Sequence, residues 1–178
     1  MSKTTKIFIA GHRGMVGKAC LDLLIENGYN NLIYRTREEI DLRDSNKVSN
    51  LFIDEKPQVV IDSAAIVGGI WANNEYPYKF LMDNMLIQNN LIKASFENKV
   101  SKFIFLGSSC IYPKLAPQPI KEEYLLTDSL EETNQWYSIA KISGVKLCEA
   151  IFKKHKKQYI SLMPTNLYGI NDNFDLKT

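Results

Sequence analysis

Five short apolar runs alternate with stretches of helical periodicity along this chain, and that alternation constrains the fold more than any other feature. The runs occupy residues 6–10, 32–34, 59–61, 103–106 and 159–163 and read as buried strands. The helical stretches cover residues 15–27, 45–54, 77–98 and 135–154. In the first, Val16, Cys20, Leu23, Leu24 and Asn27 fall near one stripe, and Gly28 is placed to end it. Ser45 reads as the N-cap of the second, with Val48, Leu51 and Phe52 turned inward. The third carries Phe80, Leu81, Met85, Ile87, Leu91 and Ile92. The Pro-rich residues 112–119 break regular structure and read as a loop.

Strands that alternate with helices are joined by crossovers, which predicts a parallel sheet with helices on both faces. The fold class expected is therefore α/β, a doubly wound (Rossmann) parallel sheet with strand order 3-2-1-4-5. With 178 residues, 45 % hydrophobic and 24 % charged, the chain has ordinary globular composition and enough length to hold a core. A net charge of +2 gives no argument for nucleic acid or a membrane as partner. Cys20, Cys110 and Cys148 are widely spaced, and with two histidines they form no metal-ligand pattern. No apolar run reaches membrane length and no signal-peptide pattern is present, so the expected setting is the reducing cytoplasm.

In a sheet of this kind, ligands bind beyond the carboxyl ends of the strands. There the segment Gly11-His12-Arg13-Gly14-Met15-Val16-Gly17 follows the first strand and opens the first helix. Its glycines allow a tight turn and close approach of a pyrophosphate to the helix N-terminus. The spacing is G-x-x-G-x-x-G, and glycines kept only for packing would look the same. The end of the second strand discriminates between dinucleotides. An acidic residue there would bind the ribose hydroxyl of NAD, but this chain has Tyr34-Arg35-Thr36-Arg37. An Arg fork suits the extra phosphate of NADP, and Arg13 could reach the same group. The cofactor expected is NADP(H); the bland alternative is a pair of solvated surface arginines.

Tyr137 and Lys141 lie one helical turn apart on one face. An ammonium there is expected to stabilise a phenolate that otherwise forms only near pH ~10, so that the Tyr exchanges a proton with a substrate oxygen. A Ser hydroxyl from Ser108-Ser109 could hold that oxygen. Cys110 adds a second acid/base group, although a free Cys is often a small buried residue and nothing more. Cys20 and Cys148 receive that bland reading. His12 reads as shaping its loop, and His155, inside a run of lysines at residues 153–157, as part of a solvated helix end.

Glycine loop, Gly107-Ser108-Ser109 and Tyr-x-x-x-Lys, in this order, resemble the extended short-chain dehydrogenase/reductase family. Further segments are similar to its GDP-L-fucose synthase branch: Val67-Gly-Gly-Ile70, Ala72-Asn73-Asn74, Leu106-Gly-Ser-Ser-Cys-Ile-Tyr-Pro113, Pro164-Thr-Asn-Leu-Tyr-Gly169 and Asp172-Asn-Phe174. The resemblance runs over essentially the whole chain. It implies an NADPH-dependent enzyme that epimerises GDP-4-keto-6-deoxy-D-mannose at C3 and C5 and then reduces C4. The catalytic residues it implies are Tyr137 as proton donor, Lys141 lowering the Tyr pKa and binding the nicotinamide ribose, Ser108 orienting the substrate oxygen and Cys110 as base. The cofactor-binding residues it implies are Gly11, His12, Arg13, Gly14, Met15, Val16 and Gly17 in the loop, then Arg37, Asp41, Leu42 and Ala64. Leu106, Gly107, Ser108, Ser109, Lys141, Pro164, Thr165, Asn166 and Leu167 complete that set. A GDP-sugar is the implied partner, and a homodimer through helices 77–98 and 135–154 the implied assembly.

The chain departs from the branch in three ways. A His expected shortly after Asp-Asn-Phe does not occur before Thr178, no smaller substrate domain follows, and Ile170 stands where Pro is common. Residues 1–178 are therefore expected to be a truncated NADP-binding Rossmann domain without its substrate domain, inactive alone, with one sheet edge and some apolar surface uncovered. Two alternatives remain: a reductase or epimerase of another GDP-deoxy sugar such as a 4-keto-6-deoxy heptose, and a non-catalytic dinucleotide-binding module.

Overall fold

The computed structural model describes residues 1–172, so Asn173 and Phe174 of the Asp-Asn-Phe segment lie outside the described residues. The elements run β1 (Ile7–Ala10), α1 (Met15–Glu26), β2 (Leu32–Ile33), α2 (Ser45–Glu55), β3 (Val59–Asp62), α3 (Ile70–Glu75), α4 (Pro77–Glu97), β4 (Lys102–Leu106), α5 (Gln135–His155) and β5 (Gln158–Leu162). Single 3-10 turns occur at Ser109–Ile111, Glu122–Tyr124 and Glu132–Asn134. All five strands are parallel, and helices cover both faces of the sheet, as the alternation predicts.

The strand order is β2-β1-β3-β4-β5, which corrects the expected 3-2-1-4-5. That arrangement would place the third strand outside the second. Residues 59–61, the third strand of that order, instead pair between β1 and β4, and the residues that follow β2 are folded into turns. The backbone N–H of Thr36 donates to the Glu39 carboxylate at 2.6 Å, and Arg43 clamps Asp41. The chain passes from β2 through these turns and α2 and re-enters the sheet beside β1. Burial agrees with this placement: Val59 is 5 % exposed, Val60 0 % and Asp62 1 %, as an interior strand requires. The two-residue β2 forms the edge.

Local details also shift. Asp44, not Ser45, caps α2: its carboxylate accepts from the N–H groups of Asn46 at 3.0 Å and Lys47 at 3.1 Å. A carboxylate there both satisfies orphan donors and complements the helix dipole. The buried face of α1 is built on Gly17 and Leu21, with Leu24 packed beside them, and Leu23 is 60 % exposed. The helix is rotated from the expected stripe because Gly17, which has no side chain, is the residue seated against the turn after β1 and against Ser63. Gly28, at φ +76°, does end this helix, and its N–H donates to Ile25 O. Helix α3 was hidden in sequence by Gly68-Gly69; the Asn73 amide holds its start by donating to both glycine carbonyls.

The two faces are unequal. Phe8, Val60, Phe103 and Phe105 on one face meet Val48, Phe52, Leu91 and Ile92 from α2 and α4, together with Val145 and Cys148 from α5. The other face has Ile7, Ile9 and Val59 under Leu21 of α1. Each fully buried Phe is worth about 1.5–3 kcal/mol relative to exposure, so the face carrying three of them anchors the fold. On β5 the apolar Ile160 and Leu162 remain 43 % and 48 % exposed, in line with the expected uncovered edge.

Candidate active site

The turn after β1 is fixed by two glycines. Gly11 has φ +78°, and a Cβ there would stand 2.8 Å from the Ala64 backbone. A Cβ on Gly17 would lie 2.1 Å from Gly11 O and 2.6 Å from Ser63 Oγ. Ser63 Oγ in turn donates to Ala10 O at 2.6 Å, tying the ends of β1 and β3 together. The first turn of α1 is thus pressed against the loop. Its N-cap, Gly14, is extended, offers no side-chain cap, and no acidic residue occupies the first turn. The leading N–H groups of the helix are left for an anion from outside the chain. This is the arrangement a dinucleotide pyrophosphate requires.

Beside the turn lies a cavity of about 280 Å³. Its wall brings together Gly11, His12, Arg13, Gly14, Arg37, Asp41, Leu42 and Ala64 from the expected cofactor set. Four arginines line it, and their commitments differ. Arg35 donates to Glu55 at 2.5 Å and to Tyr34 O at 2.9 Å. Arg43 bridges Asp41 at 2.6 Å and Asp83 on α4 at 2.9 Å. Arg13 faces Glu38 at 3.7 Å, with both side chains more than 70 % exposed, a pairing worth little in water. Arg37 is exposed and makes no hydrogen bond or ion pair among the described residues. The hydrogen bonds from Arg43 hold the Asp41 carboxyl at about 2, so its charge is already answered. His12 lies 5.0 Å from the Tyr34 ring, and burial and the Arg13 charge lower its pKa.

Further along the same edge sit the other expected residues, outside that cavity. Ser108 is extended, and its Oγ accepts from the Cys110 N–H at 3.2 Å, which leaves the hydroxyl proton free to donate. Ser138 Oγ donates to Cys110 O at 2.8 Å and fastens this turn to α5. The Ser109 N–H donates to Pro164 O at 3.0 Å, joining the β4 and β5 ends. Lys141 is 4 % exposed. Its Nζ donates to Leu106 O at 2.8 Å and lies 4.8 Å from the Phe105 ring centroid and 5.7 Å from that of Tyr137. Thr165, Asn166 and Leu167 are exposed beyond β5, while Met15 and Val16 are half-buried in the first turn of α1.

The expected lowering of the Tyr137 pKa is not what this site does. Burial first, then the charges of Cys110 and Asp62, push it up to about 12. Burial likewise lowers the pKa of Lys141 itself. The phenol therefore starts protonated, the state needed for a proton donor. Three contributors escaped the sequence reading. Ser138 sat unremarked between Tyr137 and Lys141; Arg43 was masked by neighbouring arginines; Asp62 was a lone carboxylate closing an apolar run, which was its only signal.

A pyrophosphate-ready turn, an arginine-lined cavity and a half-buried Tyr137 beside the buried Lys141 on one parallel sheet define a dinucleotide-binding domain. Residues 7–177 match the model of the NAD dependent epimerase/dehydratase family, and the chain belongs to that family. It is 56 % identical over 172 residues to GDP-L-fucose synthase 1 of Arabidopsis thaliana, covering 97 % of this chain and 53 % of that protein. It is 53 % identical over 174 residues to GDP-L-fucose synthase of Escherichia coli (strain K12), covering 98 % and 54 %. The chain spans about half the length of the curated relatives it matches. Among solved structures, a GDP-D-glycero-L-gluco-heptose synthase from Campylobacter jejuni, in the presence of NADPH, superposes with a TM-score of 0.96 at 40 % identity, covering 99 % of this chain and 52 % of that one. No helix among the described residues is long and apolar enough to cross a membrane.

Proposed function

We propose that this chain is the dinucleotide-binding part of an NADPH-dependent epimerase/reductase that converts GDP-4-keto-6-deoxy-D-mannose to GDP-L-fucose. The observation that carries the reading is the half-buried Tyr137 beside the buried Lys141, on the helix that Ser138 fastens to the Ser108–Cys110 turn at the end of β4. The identity to two GDP-L-fucose synthases supports the substrate. A bound NADPH supplies the hydride. The α1 N-terminus holds its pyrophosphate, Arg37 with Arg13 takes the 2′-phosphate, and Lys141 takes the nicotinamide ribose. Tyr137 donates a proton to the C4 oxygen and Ser108 orients that oxygen; during epimerisation Cys110 removes the protons beside the ketone and an acid of the complete enzyme returns a proton to the opposite face of each centre.

The GDP-sugar site and turnover are assigned to the complete enzyme, of whose relatives' length this chain spans about half. The heptose-synthase likeness supports a second reading, reduction or epimerisation of another GDP-deoxy sugar. A cytoplasmic homodimer is part of the proposal. Its support is an apolar stripe on α4 and α5, where Tyr78, Met82, Leu86, Ile139 and Leu147 are all exposed.

Cofactor choice is tested by titrating wild type and Arg37→Ala with NADPH and NADH. Loss of a charge-assisted contact worth about 1.5–3 kcal/mol weakens NADPH roughly 10- to 100-fold and leaves NADH nearly unchanged. An equal loss for both would remove Arg37 from phosphate recognition. Oxidation of NADPH by GDP-4-keto-6-deoxy-D-mannose, compared with the corresponding heptose, decides between the two substrates.

A further inference from the structure

Asp62 closes β3 with a carboxylate in an otherwise apolar strand and is 1 % exposed. One oxygen accepts from the Ala64 N–H at 3.2 Å, and the other, fully buried, has no hydrogen-bond partner. Leaving such an oxygen unsatisfied is costly and asks for a cause. Sheet register supplies one. Asp62 pairs with Phe105 of β4, and register partners in a parallel sheet project to the same face. Phe105 faces α5, since a Cβ on Gly144 would stand 2.4 Å from its ring. The Lys141 ammonium approaches that same ring. Asp62 is therefore directed into the buried layer that Lys141 enters from above.

The electrostatics agree. Burial pushes the Asp62 carboxyl up to about 6, while Lys141 and the Ala64 N–H pull it back. Burial pushes Lys141 down, and Asp62 opposes that shift. Asp62 also disfavours ionisation of Tyr137 and of the buried Cys148 thiol. These three groups, all on α5, are the titratable neighbours whose charge it meets. The packed face of α4 presents only uncharged residues, Asn84 and Gln88 among them, and the register partners are Ala10 on β1 and Phe105 on β4.

We propose that Asp62 is a positioning residue for the Tyr137–Lys141 pair: its carboxylate holds the Lys141 ammonium charged inside the core and keeps the Tyr137 phenol protonated until a substrate oxygen takes the proton. The inference rests on Tyr137 being the proton donor, as proposed above, and one arm of the test does not depend on turnover.

Asp62→Asn keeps an acceptor for the Ala64 N–H and removes the charge. In single-turnover reduction by the complete enzyme, the high-pH limb, where phenol or ammonium loses its proton, moves to lower pH by roughly one unit or more, because Asp62 favours the protonated form of both. An inflection near pH 6 in wild type, from Asp62 itself, is absent in the variant. A residue needed only for packing would lower the rate at every pH and leave both limbs in place, which would overturn the proposal.

The second arm is denaturation by urea between pH 4 and 7. The folded-state value of Asp62 is raised, so its contribution to stability is full below the usual carboxyl value of 3.8 and is lost as pH rises through about 6. Wild type therefore loses more stability across that window than Asp62→Asn. A double-mutant cycle with Lys141→Met gives non-additive losses if the charges are coupled, and additive losses contradict the proposal. Absence of turnover in wild type would strike the proposed reaction and leave this cycle to decide on Asp62. Should Asp62→Asn fail to fold, Asp62→Leu combined with Lys141→Met recovers folding if the two form a pair; failure to recover it overturns the inference.

Discussion

Substituting Gly17 by Ala sets two opposed effects against each other, and the structure decides which wins. Gly17 lies in the first turn of α1, where Ala is favoured over Gly by up to about 1 kcal/mol in helix propensity. Against this, the added Cβ would meet Gly11 O at 2.1 Å, Ser63 Oγ at 2.6 Å and Gly11 C at 2.7 Å. The closest of these is more than about 1 Å inside the optimum of about 3.5 Å for nonbonded atoms. Two of the three obstacles are backbone atoms of the turn itself, so no side-chain rotation relieves them. Overpacking of this kind costs about 1–3 kcal/mol, and a backbone obstacle places it at the upper end. The net expectation is a loss of roughly 1–2 kcal/mol, equivalent to a fall in Tm of about 2–8 °C for a domain of this size.

Relief of the clash also moves the turn away from the helix N-terminus, so NADPH affinity falls by more than about tenfold, the loss of one charge-assisted contact. Gly14→Ala is the matched control. Its Cβ meets only Gly11 O at 3.5 Å, and its backbone is extended at φ −76°. Stability of that variant stays within about 1 kcal/mol of wild type, the cap penalty and the unfolded-state gain offsetting each other. Thermal melts and fluorescence titration with NADPH measure both quantities. A Gly17→Ala protein that melts at or above wild type would show that α1 is not seated on the turn as described.

Ser138→Ala should leave the Cys110 carbonyl without its donor and loosen the Ser108–Cys110 turn, costing about 1–2 kcal/mol in urea denaturation. NADPH affinity should be nearly unchanged while the rate of reduction falls, and Ser138→Thr should restore part of it; equal damage to binding and rate would place Ser138 in the cofactor site instead.

The fold was legible because its signals are local. Apolar runs, the Gly28 stop and the glycine turn act over a few residues, and the turn and stop lie where sequence placed them. Strand order was not local. Whether residues 59–61 pair outside the second strand or between the first and the fourth depends on partners far off in the chain, and no window of sequence displays those pairings. The caps show the same limit, since Asp44 and Ser45 are both good N-caps and the choice depends on where α2 meets the core. At the site, residue types and chain order pointed to Tyr137, Lys141 and Ser108, which the structure places along the carboxyl edge of the sheet. The Tyr137 pKa moves up and not down because spacing shows the ammonium but not the burial around the phenol, nor the carboxylate of Asp62 on another strand. The division of labour among the arginines was equally invisible, because Glu55 and Asp83, which occupy Arg35 and Arg43, lie far off in the chain.

The assignment of Tyr137 as the proton donor is tested most directly by single-turnover reduction of GDP-4-keto-6-deoxy-D-mannose with NADPH in the complete enzyme, comparing wild type with Tyr137→Phe. Loss of the phenol proton should slow hydride consumption by about 10²- to 10⁴-fold while NADPH binds as in wild type. Reduction by Tyr137→Phe at the wild-type rate would contradict the assignment.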